Sequence, residues 1–107
     1  MMADDAMWCL VMFDLPVATK RERREAARFR NDLLDWGFSM VQLSVYVKFW
    51  PTGGQDMTTI RAIKRELPEG GQVRVITITD RQWATGLRFD QAKPVKEQNA
   101  PEQLMIF

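Results

Sequence analysis

The sequence predicts an α+β domain in which two helices cover one face of an antiparallel sheet, and three observations support this. Two short runs, Met7–Phe13 and Val73–Thr79, are almost continuously apolar, which is typical of central strands and too short for a membrane span. Two further segments carry helix-start signals and apolar residues at three- and four-residue spacing. The remaining segment, Phe38–Trp50, alternates apolar and polar residues as a half-buried strand does.

Composition bounds the class of protein. With 107 residues, 46% of them hydrophobic and 27% charged, the chain is expected to form one soluble globular domain. The single cysteine, Cys9, lies inside the first apolar run, so we expect it to pack as a small hydrophobe rather than to form a disulfide. The acidic amino terminus has no signal-peptide pattern, so a cytoplasmic location without membrane partners is expected. The absence of histidine excludes a Ser-His-Asp triad and a histidine-ligated zinc.

The first apolar run ends in a carboxylate. Pro16 cannot donate to a sheet ladder, so the strand is expected to stop near Phe13 or Asp14, with Asp14 at the junction of strand and loop. An aspartate at this position serves either a turn or a functional site, and the residues alone leave both interpretations open.

The first helix is predicted from Lys20 to Trp36. Thr19 and Glu22 have the spacing of a capping box, and Gly37 supplies a left-handed cap at the other end. Its apolar face is formed by residues three and four positions apart, namely Ala26, Phe29, Leu33 and Trp36.

This helix also holds most of the local positive charge. Between positions 20 and 30 it carries Lys20, Arg21, Arg23, Arg24, Arg28 and Arg30. Arginine suits bidentate phosphate contacts, so the cluster predicts a polyanionic partner, with a solvated face of Glu–Arg pairs as the alternative. Arg21, Arg24 and Arg28 are expected to lie away from the core, available to solvent or phosphate.

The boundaries of the predicted helices and strands are less clear in the second half of the chain. Phe38–Trp50 is long for one strand, so it either spans the domain or folds back near positions 42–44, where no strong turn signal is present. A second helix is expected after Asp56, with a shared apolar face, and ends at the loop Pro68–Gly71. The residues of that expected face are Met57, Ile60, Ile63 and Leu67. From Asp80 onward the pattern weakens.

The order of elements fits a ferredoxin-like βαββαβ domain over residues 1–82. Residues 83–107 form a C-terminal segment with two extra strand-like pieces, Leu87–Phe89 and Gln103–Phe107. Two helices cover only one face of the sheet, so the other apolar face predicts a homodimer through the sheet face. The C-terminal pieces are expected to add to a sheet edge, that of the partner protomer or of another protein.

Four motifs follow one another along the chain, namely Val11–Pro16, Trp36–Phe38 after the basic helix, Gln42–Tyr46 and Val75–Thr79. In this order and at this spacing they resemble the CRISPR-associated protein two family, in the form that accompanies type II systems. The resemblance covers about residues 7 to 80. It implies a ferredoxin-like homodimer, a fold-back near Gln42–Ser44, a magnesium-dependent nuclease of RNA or DNA, and a bridge between two integrase dimers around incoming DNA.

The same resemblance implies the site residues. The family's catalytic aspartate maps onto Asp14, which would bind Mg²⁺, and its motif serine maps onto Ser44. The chain has Tyr46 where many members have Phe, and no second acid follows Leu15. Because Mg²⁺ commonly takes one or two carboxylates, the Asp14 residues of two protomers are expected to share one ion across the dimer axis.

The implied partners are an integrase subunit and nucleic acid. Docking of the integrase is assigned to the chain end, namely Leu104, Met105, Ile106 and Phe107. Duplex DNA, with single-stranded RNA as a second candidate, is assigned to Lys20, Arg21, Arg23, Arg24 and Arg28. The rival interpretation is a non-catalytic dimeric DNA-binding scaffold. A generic RNA-binding module is more distant, because the aromatic signature of an RNA-recognition sheet is absent.

Overall fold

The computed structural model describes residues 6–52, 56–91 and 93–94. The elements in chain order are β1 (Met7–Asp14), α1 (Lys20–Asp35), β2 (Ser39–Gln42), β3 (Val45–Trp50), α2 (Met57–Arg65), β4 (Gln72–Thr79), α3 (Asp80–Ala84), β5 (Phe89–Asp90) and β6 (Lys93–Pro94). Within these ranges, none of the helices combines the length and the apolar character that a bilayer crossing requires.

The main sheet has four strands in the order β2-β3-β1-β4, and every neighbouring pair is antiparallel. The central strand is therefore β1, as the apolar run predicted. The α+β class is confirmed, and the strand order is compatible with the ferredoxin-like βαββαβ arrangement. The short strands β5 and β6 form a separate two-stranded hairpin.

The core lies between the helices and one face of the sheet. Alternate residues of β1 face it, and Phe13 meets the ring of Phe29 edge-on, with 5.4 Å between centroids. The other buried side chains of this cluster are Cys9, Val11, Leu15, Ala26, Leu33, Phe38, Tyr46, Trp50 and Ile63. Burial raises the pKa of the Cys9 thiol to about 11, so it stays protonated and packs as the expected small hydrophobe.

The segment after α1 folds back, which settles the alternative that the residue pattern left open. Gln42 pairs with Val45, and Leu43 and Ser44 form the two-residue turn between β2 and β3. Ser44 adopts φ +67°, a left-handed conformation that Gly or Asn usually supplies. The turn therefore carries no typical sequence signal.

Both main helices begin where predicted. Thr19 and Glu22 form the full capping box of α1, and Gly37 follows its end with φ +96°. The Asp56 side chain caps α2 by accepting the backbone N–H of Thr59 at 3.1 Å.

The apolar face predicted for α2 is only partly correct. Thr59, Ala62 and Ile63 are its buried residues, whereas Met57 and Leu67 are each 45% exposed. The helix ends at Arg65, so Leu67 lies beyond its last turn and cannot share its face.

The face of the sheet opposite α1 and α2 is here called the open face. The strand registers assign to it three rows of residues, namely Trp8 with Phe49 and Ile78, Leu10 with Val47 and Ile76, and Met12 with Val45 and Arg74. Ile76 is 40% exposed, so in a single chain this face is apolar and partly uncovered.

Helix α3, which the sequence pattern did not predict, covers one end of the open face. Trp83 is buried and stacks on Trp8 with 4.6 Å between ring centroids, and the Trp8 Nε1–H donates to Asp80 Oδ1 at 2.7 Å. The first residue of the expected C-terminal segment is therefore packed on the sheet. The missed signal is a second capping box, formed by Thr79 and Gln82.

Of the two strand-like pieces expected in the C-terminal segment, the first overlaps β5 only at Phe89. The second, Gln103–Phe107, lies outside the described residues, as do the partner-binding residues predicted within it.

Candidate active site and nucleic-acid interface

Asp14 is the last residue of β1, opposite Gln72 of β4. Strand alternation places its side chain on the same side as Met12, toward the open face. Asp14 is exposed, and its carboxylate has no hydrogen bond or ion pair with any residue in the described part of the chain. It is therefore open to a ligand, which does not suit the purely turn-forming interpretation.

The backbone of Asp14 is held by a close approach of Gly71. Gly71 adopts φ +72°, and a Cβ on it would overlap the Asp14 carbonyl oxygen and lie 3.0 Å from Leu15 Cα. A side chain cannot occupy this place without moving the end of β1. The sequence identified Gly71 only as part of a loop, because its contact with β1 depends on strand pairing.

Ser44 lies at the same end of the sheet as Asp14. Its backbone carbonyl accepts the N–H of Phe13 at 3.1 Å, which extends the β1–β3 pairing by one step beyond Met12 and Val45. The structure thus brings the two predicted catalytic residues to neighbouring positions. The Ser44 hydroxyl makes no hydrogen bond within the described ranges, so its catalytic role stays a prediction.

Asp14 also lines a shallow pocket with residues of β4. The lining residues are Met12, Phe13, Asp14, Gln72 and Arg74. Arg74 is exposed, and sequence reasoning did not select it. The available signal was the lone charged residue of β4.

The donor set for a metal is small. Within the residues that the structure describes, no group of three or more His, Cys, Asp or Glu side chains could hold a metal ion. Asp14 alone offers one carboxylate, whereas Mg²⁺ is commonly bound by one or two and keeps several waters. Asp14 therefore offers the smaller of these numbers of carboxylates, and the remaining ligands of a bound Mg²⁺ would be waters or further groups.

The amino-terminal turns of α1 present an exposed basic triplet, Lys20, Arg21 and Arg24. None of the three forms an ion pair or side-chain hydrogen bond with another described residue. Arg23 is also exposed, but its guanidinium donates to the carbonyls of Val17 and Ala18 at 3.1 and 3.2 Å. Within the predicted phosphate-binding cluster, these three side chains could therefore bind phosphate without first breaking another interaction.

For Arg28, the structure differs from the prediction that its side chain is available to phosphate. Its guanidinium contacts Glu25 at 3.0 Å, Asp32 at 2.7 Å and Glu66 at 3.5 Å, so it is not left for phosphate. The Glu25 hydrogen bond is the main cause that raises the pKa of Arg28 above its ordinary value. Its further bond to the Glu66 carbonyl, at 3.1 Å, ties α1 to the end of α2.

These features define a class: a small α+β protein with an antiparallel βαββαβ sheet, a solvent-open aspartate at the tip of the central strand and a basic first helix. Residues 7–85 match the family model described as CRISPR associated protein Cas2. The chain belongs to this family, as the four motifs indicated.

Curated relatives cover nearly the whole chain. It is 45% identical to the CRISPR-associated endoribonuclease Cas2 of Paracidovorax avenae, with 94% of each chain aligned. It is 40% identical to the protein of that name from Flavobacterium psychrophilum, over 95% of this chain and 89% of the relative. The protein of that name from Parvibaculum lavamentivorans is 37% identical, over 94% of this chain and 100% of the relative.

Proposed function

We propose that this chain is a CRISPR adaptation protein and a metal-dependent endonuclease that cleaves RNA, with DNA as a second substrate. The observation that carries the proposal is the Asp14 carboxylate, exposed and unpartnered at the tip of β1. The activity that the relatives' names state, endoribonuclease, supports RNA as the first substrate.

The residues at this end of the sheet have separate roles in the proposal. Asp14 would hold Mg²⁺, which when bound polarises a phosphoryl oxygen and lowers the pKa of an attacking water. The Ser44 hydroxyl, on the neighbouring β2–β3 turn, would orient the phosphodiester. With no histidine in the chain, proton removal from water cannot use an imidazole.

The second carboxylate is proposed to come from a second copy of the chain, packed through the open face. Phe49 and Ile76 are 43% and 40% exposed there, and apolar surface of this kind favours a subunit contact. In a two-fold dimer only residues beside the axis meet their own copies, so the axis is proposed to pass near the end of β1, where it would bring the two Asp14 residues together.

Replacing Asp14 with Asn tests this function. Purified Asp14→Asn protein should lose its Mg²⁺-dependent cleavage of an RNA oligonucleotide while remaining a dimer in analytical ultracentrifugation. Asp35→Asn is the matched control, because Asp35 is exposed at the far end of α1, about 22 Å along the helix from Lys20. Equal cleavage by wild-type and Asp14→Asn proteins would overturn the proposal.

A scaffold role is proposed beside the nuclease, and the exposed basic triplet favours it. These side chains have no partner in the described chain, so they are available to the phosphates of duplex DNA.

The integrase subunit is proposed to dock on Leu104–Phe107. Deleting residues 102–107 should weaken co-elution with the integrase in size-exclusion chromatography and leave the core folded. Normal co-elution of the truncated chain would refute this docking site.

A further inference from the structure

Among the nine residues of the three rows assigned above to the open face, Arg74 is the one charged residue. Arg74 lies on β4 opposite Met12, and two residues before it Gln72 lies opposite Asp14. Residues two apart in a strand share a face, so Arg74 and Asp14 are on the same side of the sheet. They also line the same pocket. A cation is thus placed beside the carboxylate at the end of an apolar surface.

Arg74 has no partner within the described residues. It is exposed, and no hydrogen bond or ion pair joins it to Asp14 or to any other described side chain. Arg28, by contrast, has its guanidinium held by three carboxylates. Neither Arg74 nor Asp14 would therefore have to release a partner to bind a ligand.

We propose that Arg74 binds a non-bridging oxygen of the phosphodiester that is cleaved at Asp14, an inference that rests on the proposed nuclease function. Guanidinium presents a planar set of donors that matches phosphate oxygens in a bidentate way. Negative charge spreads over these oxygens in the transition state, and a fixed cation stabilises it. A site with so few carboxylates and no histidine gains most from such a group. Arginine stays protonated, so Arg74 acts as a charge and not as a general acid.

The proposed subunit contact strengthens the need for an anion here. If a second copy covers the open face, Arg74 loses its contact with water at the edge of an apolar interface. An unpaired buried charge is strongly unfavourable. A phosphate of the substrate would satisfy it. The competing partner is Asp14 of a second copy, in which case Arg74 would serve the subunit contact.

The test compares Arg74→Gln and Arg74→Lys with Arg61→Gln. Arg61 is exposed on α2, which covers the opposite side of the sheet, and its variant loses the same charge. Arg74→Gln should lower kcat/KM for RNA cleavage about 10- to 100-fold, as expected when charge-assisted hydrogen bonds are removed. Arg74→Lys should recover part of this decrease, and Arg61→Gln should match the wild type.

A second measurement does not require cleavage. In the Asp14→Asn background, Arg74→Gln should weaken binding of the same RNA oligonucleotide in fluorescence anisotropy, whereas Arg61→Gln should not. Loss of the dimer in Arg74→Gln would assign the residue to the subunit contact and overturn the inference. Wild-type cleavage and binding by Arg74→Gln would overturn it as well. Cleavage that survives Asp14→Asn refutes the proposed function instead, so the two failures are distinguishable.

Discussion

Replacing Gly71 with alanine tests whether the end of β1, at Asp14, depends on the close approach of the Gly71 backbone. At φ +72°, alanine costs about 1–2 kcal/mol more than glycine. Its Cβ would also overlap the Asp14 carbonyl oxygen and lie 3.1 Å from Pro16 Cδ. These atoms belong to the backbone and to a proline ring, so the end of β1 must move to make room. By analogy with overpacked cores, this movement costs about 1–3 kcal/mol. We expect the free energy of unfolding to fall by about 2–5 kcal/mol.

Gly37→Ala is the matched control. Gly37 also has positive φ, at +96°, but a Cβ there would meet Lys48 Cε at 3.3 Å, and this side-chain atom needs to shift by only a few tenths of an ångström. Its destabilisation should therefore be limited to about 1–2 kcal/mol. Urea unfolding measures both values. RNA cleavage, corrected for the folded fraction, should fall in Gly71→Ala and persist in Gly37→Ala. Equal destabilisation with full cleavage in both variants would refute the reasoning.

Three further predictions concern charge and packing. Changing the exposed basic triplet to Gln should reduce the slope of log affinity for duplex DNA against log salt by roughly 0.9 for each phosphate that is no longer neutralised. By contrast, Arg28→Gln should lower stability and leave this slope unchanged. Asp56→Ala should cost about 0.5–2 kcal/mol in urea unfolding at pH 7. Hydrogen bonds from Thr59 lower the pKa of Asp56 in the folded state, so the part of this difference that depends on the charged carboxylate is present above the unfolded value of about 4 and is lost as the pH falls through the lower folded value. Trp83→Ala should cost about 3–5 kcal/mol and change the near-ultraviolet circular dichroism of the Trp8 stack.

The elements that the sequence predicted well are those fixed by local signals. The start of α1 follows from Thr19 and Glu22, and the end of β1 follows from Pro16, because capping and the missing proline N–H act within a few residues. Helix α3 had the same kind of signal in Thr79 and Gln82. It was missed because five residues are too few to show helical periodicity.

Long-range contacts explain what the sequence could not predict. The local pattern indicates a solvent-facing Arg28, but its guanidinium also bonds to Glu66, which lies 38 positions away. The turn at Leu43 and Ser44 has no glycine or asparagine, and its left-handed residue is held by a bond from Phe13 of another strand. Such features depend on which strands become neighbours, which the pattern of one segment does not contain.

The site at Asp14 is assembled in this way. Because the sheet order is β2-β3-β1-β4, the end of β1 meets the start of β4 on one side and the β2–β3 turn on the other. Gly71 and Arg74 come from the first and Ser44 from the second. The residues alone predicted Asp14 at the junction of strand and loop, and the family resemblance implied catalytic roles for Asp14 and Ser44, whereas the β4 residues required the register.

The role of Ser44 can be separated from its structural contact, because its carbonyl and not its hydroxyl bonds to Phe13. Ser44→Ala retains that carbonyl, and both residues bear a similar cost at φ +67°. The variant should therefore keep its free energy of unfolding within about 0.5 kcal/mol of the wild type, as surface substitutions usually do. If the hydroxyl orients the phosphodiester, RNA cleavage should fall while stability and dimerisation are retained. Unchanged cleavage would leave Ser44 a turn residue, and a parallel decrease in stability would show that the hydroxyl supports the fold.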